Sequence, residues 1–375
     1  MGERRLSSLP DESVLLLDNA DVAGLLSMDK AIESLRAAYS DLVRGDATYI
    51  PRIDIFAPTS RSHEFYQWGS MAGVSVSAGV LAVRMKSDIV SWPDGKRQDK
   101  YAGRPGLYCG LILVFDIANG APVAIIQDGY LQHVRVGAAA AIGTDLLARP
   151  DARTLGLIGS GGMADVYVDA ISAVRDLDRV RVYSPDPSHR EEFARRAHAR
   201  LGTPVEAVSS VEEAVRGQDI VATATSSMTP TFDASWLEAG SHVTCVTRRE
   251  VGQALLDRAD QVIQLGFESI KRDVDVPMME WKAGGMAAYV CGSPEQRARI
   301  PAGEPAEAGV YPTLLDLQAG RVPGRQRAEN ITLFINVGTQ GLQFAAVAGM
   351  LYRLAQAANA GRRLPTAWFL EDVRD

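Results

Sequence analysis

Cysteine is scarce in this chain. There are three in 375 residues, Cys109, Cys245 and Cys291, and none forms a C-x-x-C pair. A set so sparse and odd excludes a disulfide framework and a Cys-rich zinc site, and it fits a reducing compartment; no metal site is expected. Apolar runs stop well short of the roughly 18 residues that a membrane-spanning helix needs, so no membrane partner is expected. The opening MGERRLSSLPDES has no apolar core of a secretory signal, and Leu6 stands where a myristoylation signal has Ser or Thr. The expected location is cytoplasmic. Positive charge is in deficit, with 39 Lys and Arg against 46 Asp and Glu for a net charge of −7. That argues against nucleic acid or an anionic surface as the main partner, while leaving room for a local basic pocket. Internal repeats and low-complexity segments are also missing. What remains is an ordinary globular composition, 46% hydrophobic and 23% charged, in a chain long enough for two domains of about 100–200 residues.

Hydrophobic patterning divides the chain into three stretches. In the first, to about residue 150, residues 14–18 read as a short buried strand. Residues 28–44 read as an amphipathic helix with Ile32, Leu35, Tyr39, Leu42 and Val43 at helical spacing, Ser27 to cap it, Asp29 in its first turn and Gly45 to end it. Residues 81–89 alternate, Leu81, Val83 and Met85 on one face and Ala82, Arg84, Lys86 and Asp88 on the other. Residues 111–116 and 122–127 flank an Asn119-Gly120 step, a hairpin signal. The run Arg135-Val136-Gly137-Ala138-Ala139-Ala140-Ala141 predicts a small-residue helix that another backbone can approach closely.

From about 151 to 325, strands at 154–158, 180–183, 205–208, 220–224, 242–246 and 261–265 alternate with helices, including 163–174 and 189–200. Ser209 and Ser210 before Glu212 and Glu213 make a capping-box start for another. This is the pattern of a doubly wound parallel sheet. The last stretch, 326–375, reads as a long apolar helix, about 332–358, that packs back on the first. The expected fold class is therefore α/β: a Rossmann domain over 151–325 and an α+β domain built from 1–150 with 326–375 and closed by the C-terminal helix. Residues 273–310, rich in Gly, Pro and Ala and without a period, read as an insertion or long loop.

Gly159-Ser160-Gly161-Gly162-Met163-Ala164 follows a predicted strand and opens a predicted helix. It fits G-x-G-x-x-A: a tight turn, a close backbone approach to a pyrophosphate, then a small residue where helix meets strand. The helix N-terminus would offer free amides to the phosphates. The acid that an NAD site carries near the end of its second strand is missing, since that strand ends Val182-Tyr183-Ser184 and Asp186 comes two residues later. Ser184, Ser188, His189 and Arg190 offer groups suited to a 2′-phosphate, so NADP(H) is favoured and NAD(H) remains open, with Asp186 as the alternative ribose partner. Thr225, just after the 220–224 strand, is a further cofactor candidate.

Among the basic residues of the first stretch, Arg52, Arg84, Lys86 and Arg135 suit a carboxylate, which a guanidinium grips in bidentate fashion. A partly buried lysine can handle a proton at nitrogen. A basic residue on a strand is more often solvated or salt-bridged than a ligand, and Asp88 is a ready partner for Arg84 or Lys86. Tyr66 and Trp68 are candidates to line a substrate pocket.

These pieces occur in one order: Pro51-Arg52, Val83-Arg84-Met85-Lys86, Asp128-Gly129, Arg135-Val136-Gly137-Ala138-Ala139, the Gly159–Ala164 turn, Ala319-Gly320-Arg321-Val322-Pro323-Gly324-Arg325 and Glu329-Asn330-Ile331-Thr332. In this the chain resembles the ornithine cyclodeaminase/μ-crystallin family over most of its length. The resemblance implies Arg52 and Arg135 as holders of a substrate carboxylate and Lys86 as the residue that handles its proton. It also implies a homodimer formed through the first domain. The activity it implies is hydride transfer at the C–N bond of an amino or imino acid; a cyclodeaminase, or a non-catalytic NADP-binding protein, is the alternative. One departure bears on the choice. After His242 the chain reads Val243-Thr244-Cys245-Val246-Thr247-Arg248-Arg249-Glu250, and Arg249 stands where the family has a catalytic aspartate. A permanent cation has no acceptor, which speaks against cyclodeaminase activity. Arg248 or Arg249 is instead a candidate partner for a second acidic group on the substrate or for cofactor phosphates.

Overall fold

The computed structural model describes residues 13–93, 98–266, 279–282, 286–290, 292–302 and 311–371. The N-terminal residues weighed for a signal or lipid, and Cys291, lie outside them. The chain begins with β1 (Ser13–Leu17), α1 (Asn19–Leu25) and α2 (Met28–Arg44). Ser27 Oγ caps α2 at the Lys30 amide, Gly45 ends it in the left-handed region at φ 84°, and Ile32, Leu35 and Tyr39 are buried along one face. Then come β2 (Ala47–Pro58), β3 (Phe65–Ser75), β4 (Val80–Ser91), β5 (Asp99–Tyr101), β6 (Cys109–Asp116), β7 (Pro122–Gln127) and α3 (Gly129–Leu147). The second half follows with β8 (Thr154–Ile158), α4 (Gly162–Ser172), β9 (Arg179–Tyr183), α5 (Pro187–Leu201), β10 (Val205–Ala207), α6 (Val211–Val215), β11 (Ile220–Thr223), β12 (His242–Cys245), α7 (Gly252–Arg258) and β13 (Gln261–Gln264). The chain closes with β14 (Met279–Lys282), β15 (Met286–Val290), α8 (Pro294–Ala298), α9 (Leu314–Gln318), β16 (Thr332–Ile335), α10 (Gln340–Ala357) and β17 (Arg362–Pro365).

Two sheets result. The second runs β10-β9-β8-β11-β12-β16-β13, all parallel, with the strand order reversing beside β8. This is the doubly wound Rossmann sheet, whose ligands bind at that switch point. The first is mixed, β14-β15-β2-β3-β4-β6-β7-β1-β17 with β5 on β4. Helix α10 lies on its inner face in backbone contact: a Cβ on Gly73 would stand 2.5 Å from Gly341 carbonyl carbon, and one on Gly341 would stand 2.0 Å from Ala72 oxygen. The small-residue helix α3 sits between the sheets, its Ala138–Ala141 run buried and a Gly137 Cβ position 2.7 Å from the Val166 oxygen of α4.

Two expectations are corrected, and one question left open is decided. Residues 332–335 are not the start of the last helix but a strand inside the second sheet, between β12 and β13. A run buried on both faces has no period to separate strand from helix, and the break comes only at Gly338 and Thr339, with φ 111° and 55°. The segment 273–310 is not wholly loop: β14 and β15 pair antiparallel and β15 pairs parallel with β2, so these strands belong to the first sheet and not to the Rossmann unit, while 273–278, 283–285, 291 and 303–310 lie outside the described residues. That pairing joins residues over 200 apart in sequence, beyond the reach of any local pattern. Finally, the charged face of β4 is its inner one: Arg84, Lys86 and Asp88 are buried, while Leu81, Val83, Met85 and Ile89 are only half-buried.

Candidate functional site

The glycine-rich turn sits at the switch point of the second sheet. Gly159 has φ 122°, and a Cβ there would stand 2.4 Å from the Ala224 oxygen, so no other residue fits. Gly161 is extended, has open space where a Cβ would be, and starts α4 without a side-chain cap, leaving its first amides free. Gly162 opens the helix and Ala164 is fully buried within it. A cavity of about 430 Å³ lies here, bordered by residues 158–163, by Tyr183, Ser184 and Pro185, and by Ala224, Thr225 and Ser226. A dinucleotide fits this cradle: close backbone, unpaired amides and room.

The second strand's end bears on which dinucleotide. Ser160 Oγ donates to Ser184 Oγ at 2.9 Å. Asp186 Oδ1 is engaged in capping α5, accepting from the Ser188 amide, Ser188 Oγ and the His189 amide. Arg190 stacks on Tyr183, 5.6 Å from the ring centre, and donates to the Ser184 carbonyl at 2.9 Å. Thr225 donates from both its amide and its hydroxyl to Glu250 Oε1, at 2.7 and 2.8 Å. Glu250, fully buried, accepts from the Thr247 amide with its other oxygen, and so ties together the loops that follow β11 and β12. Burial raises its pKa although these donors oppose the shift. Arg249, its neighbour, is half-buried and makes no hydrogen bond or ion pair among the described residues, while Arg248 lies over the Tyr311 ring at 5.5 Å.

On the facing wall, strand alternation gathers cations. Arg84 pairs with Asp128 at 2.6 Å and Lys86 with Asp88. A β-bulge between Ile50 and Ile53 turns Arg52 to the same face. There it pairs with Asp54 at 2.8 Å and lies across Gly69, its Nε 3.3 Å from that residue's Cβ position. Arg135 enters from α3 and lies over the Phe344 ring of α10 at 4.9 Å, with Arg84 over the same ring at 5.5 Å. Its guanidinium donates to Gln343 Oε1 at 2.7 Å and Gln132 Oε1 at 3.0 Å, and its buried Nε has no partner. Burial, and then Arg84, lower the Arg135 pKa to about 9. Lys86 is 7% exposed; burial first, then Arg52 and Lys100, push its pKa down to about 7 against the pull of Asp88.

Lys100 completes the cluster. It pairs across with Val90, two positions beyond Asp88 on the same face. Its side chain is exposed, and its pKa is lowered by desolvation and by Arg52 and Arg84 against the pull of Asp88. Helix α3 connects this wall to the cofactor cradle. Arg135 faces the cluster, and His133, whose Nδ1 bonds the Gly129 carbonyl, holds Nε2 3.6 Å from the Cβ position of Gly162.

The structure thus brings Arg52, Lys86 and Arg135 together around Arg84, and α3, which carries Arg135, also sets His133 against Gly162 of the turn. It does not bring Tyr66 there. Tyr66 pairs with Ile89 and bonds Ser87 Oγ, on the outer face with Trp68, because side chains one residue apart on a strand point to opposite faces. Arg249 is not joined to the cluster by any hydrogen bond or ion pair. Sequence reasoning missed Asp54, Gln343 and Lys100. Asp54 had a signal, two residues after Arg52 on one strand face; Lys100, on a strand of three residues, had none. Among the described residues no three His, Cys, Asp or Glu side chains come together as metal ligands, and no helix is long and apolar enough to cross a membrane.

A Rossmann dinucleotide cradle is joined through α3 to a cationic sheet face. The chain belongs to the ornithine cyclodeaminase/mu-crystallin family, whose model matches residues 12–358. It is similar to a Δ1-pyrroline-2-carboxylate reductase of Bacillus cereus, 29% identical over 71% of this chain and 77% of that protein. It is also similar to an iminosuccinate reductase of Paracoccus denitrificans, 25% identical over 92% of this chain and 97% of the other. Among solved structures it resembles the Thermococcus litoralis Δ1-pyrroline-2-carboxylate reductase in complex with NADH and L-proline, with TM-score 0.73, 25% identity, and coverage of 94% of this chain and 100% of that one.

Proposed function

We propose that this protein is an NAD(P)H-dependent oxidoreductase acting on the C–N bond of an imino or amino acid. The observation that carries the reading is Lys86: a buried ammonium with a pKa of about 7, held by Asp88 within a cationic wall beside a dinucleotide cradle. A general acid is most effective when its pKa lies near the working pH. In this reading Arg135 and Arg52 hold the α-carboxylate. Two-point attachment fixes the α-carbon in a near-attack position. Lys86 gives its Nζ proton to the imine nitrogen, and Asp88 steadies the ammonium. Phe344, lying against both Arg84 and Arg135, holds the guanidinium planes and excludes water. The nicotinamide cofactor, when bound, supplies the hydride that the carbon receives; residues 159–164, Ser184, Arg190 and Thr225 would hold it.

NADP(H) is the favoured cofactor, because the carboxylate after β9, Asp186, caps α5 with Oδ1 and Arg190 lies beside Ser184. The first sheet with α10 serves as the substrate domain and the parallel sheet as the cofactor domain. A homodimer formed through the outer face of the first sheet is supported by the half-buried Leu81, Val83 and Met85 and by the exposed Ile55 and Leu111. The cytoplasm remains the proposed location. The test is oxidation of NADPH and NADH against α-keto acids with ammonia or methylamine and against cyclic imines. Turnover with any imine, faster with NADPH, is expected. Tight NADPH binding without turnover, or ammonia release from ornithine, would replace the reading.

A further inference from the structure

Arg52, Arg84 and Lys86 each carry a carboxylate of their own, those of Asp54, Asp128 and Asp88. Arg135 is held differently. Its guanidinium donates to two neutral amide oxygens, Gln343 Oε1 at 2.7 Å and Gln132 Oε1 at 3.0 Å, and it makes no ion pair among the described residues. Each terminal nitrogen gives one hydrogen bond, so each keeps a second N–H without a partner among the described residues. Paired N–H groups of this kind make the fork that a carboxylate grips.

Gln343 is placed to aim that fork without neutralising it. It is fully buried on α10, next to the Phe344 ring that Arg135 overlies at 4.9 Å. An arginine has no acceptor, so the amide must turn its oxygen towards Arg135 and its nitrogen away. The nitrogen donates to Tyr39 Oη of α2 at 3.0 Å and to Thr339 Oγ1 at 3.2 Å, and both of these residues are fully buried. Thr339 stands where the chain leaves the second sheet for α10, held in the left-handed region at φ 55°. Bonds at both ends fix the plane of the amide, and with it the direction in which the oxygen pulls the guanidinium. A carboxylate at this position would neutralise Arg135 from within, as Asp54, Asp128 and Asp88 do for their partners, and an incoming anion would have to displace it.

We infer that Gln343 is a positioning residue: it orients the Arg135 fork and leaves the positive charge of that arginine to the ligand. This rests on the reading above, in which Arg135 receives a carboxylate. Gln343→Glu tests it. The Tyr39 and Thr339 hydroxyls, which accept from the amide, can rotate and donate to a carboxylate, so the variant keeps its buried hydrogen bonds and gains an ion pair with Arg135. The assay is calorimetric titration of the protein saturated with NADP⁺ by pyruvate, a probe chosen for its carboxylate, with melting temperature and NADPH affinity measured alongside. In Gln343→Glu the affinity for pyruvate should fall by about tenfold or more, while the melting temperature stays equal or rises. NADPH affinity should stay within about twofold, since Gln343 shares no hydrogen-bond partner with the Gly159–Ala164 turn. A merely structural residue would move stability and binding in the same direction. Gln343→Met, which leaves the charge free and removes the aim, should also weaken pyruvate binding. Unchanged pyruvate affinity in Gln343→Glu, a joint fall of pyruvate affinity, NADPH affinity and melting temperature, or no binding of pyruvate to the unaltered protein at millimolar concentration would each overturn the inference. Loss of pyruvate binding in Gln343→Glu, in a protein that turns over no imine, keeps the role of Gln343 and removes the reductase reading. Imine turnover with the same KM in Gln343→Glu as in the unaltered protein does the reverse.

Discussion

If Lys86 donates the proton, the reductive reaction must follow its ionisation. The folded-state pKa of about 7 lies far below the ordinary lysine value because burial and the charges of Arg52 and Lys100 disfavour the ammonium. The acid form is present below that value and lost above it. Between pH 6 and pH 8 the protonated fraction falls from about nine-tenths to about one-eleventh, so kcat/KM for imine reduction should drop roughly tenfold, whereas a lysine titrating near 10.4 would leave the profile flat. The oxidative direction, which needs the free amine, should rise over the same interval. Asp88→Asn removes the anion that supports the ammonium, so the inflection should move to lower pH and activity at pH 7 should fall several-fold. Lys86→Met should lower kcat by about 10²–10⁴-fold with little change in cofactor affinity. The assay is the steady-state pH profile of kcat/KM with 4-deuterated NADPH alongside, since an isotope effect shows that hydride transfer is visible in the rate. A full isotope effect with a flat profile from pH 6 to pH 8 would refute the assignment.

Three further outcomes are expected. Arg135→Met removes a charged hydrogen-bonding partner for the carboxylate worth about 1.5–3 kcal/mol, so kcat/KM should fall by about 10–150-fold; an unchanged value would take Arg135 out of the site. Gly159→Ala forces a Cβ against the Ala224 oxygen at a backbone angle only glycine adopts. It should abolish the NADPH fluorescence enhancement and lower the melting temperature, and a variant that binds NADPH normally would contradict the cradle. Leu111→Asp places a charge on the exposed apolar face of the first sheet; sedimentation should then show a monomer with an unchanged circular dichroism spectrum, and a persistent dimer would move the interface elsewhere.

Short-range chemistry made much of this protein legible from its residues alone. A capped, periodic helix such as Met28–Arg44 is specified by neighbours three and four apart, and the glycines of the 159–164 turn are required by backbone angles and close approach. The alternation of β4 put Arg84, Lys86 and Asp88 on one face, but not on which side of the sheet that face lies. That was decided by α10, whose Gly341 meets β3 backbone to backbone and makes the charged face the inner one, and the same parity sends Tyr66 outward. The strand at 332–335 and the strand at 286–290 likewise took their places from partners far away in sequence. Lys100 joined the cleft through a three-residue pairing that carries no pattern of its own. Local propensity is written in the chain, whereas the environment of a charge depends on what folds against it, and the pKa of Lys86 is a property of that environment.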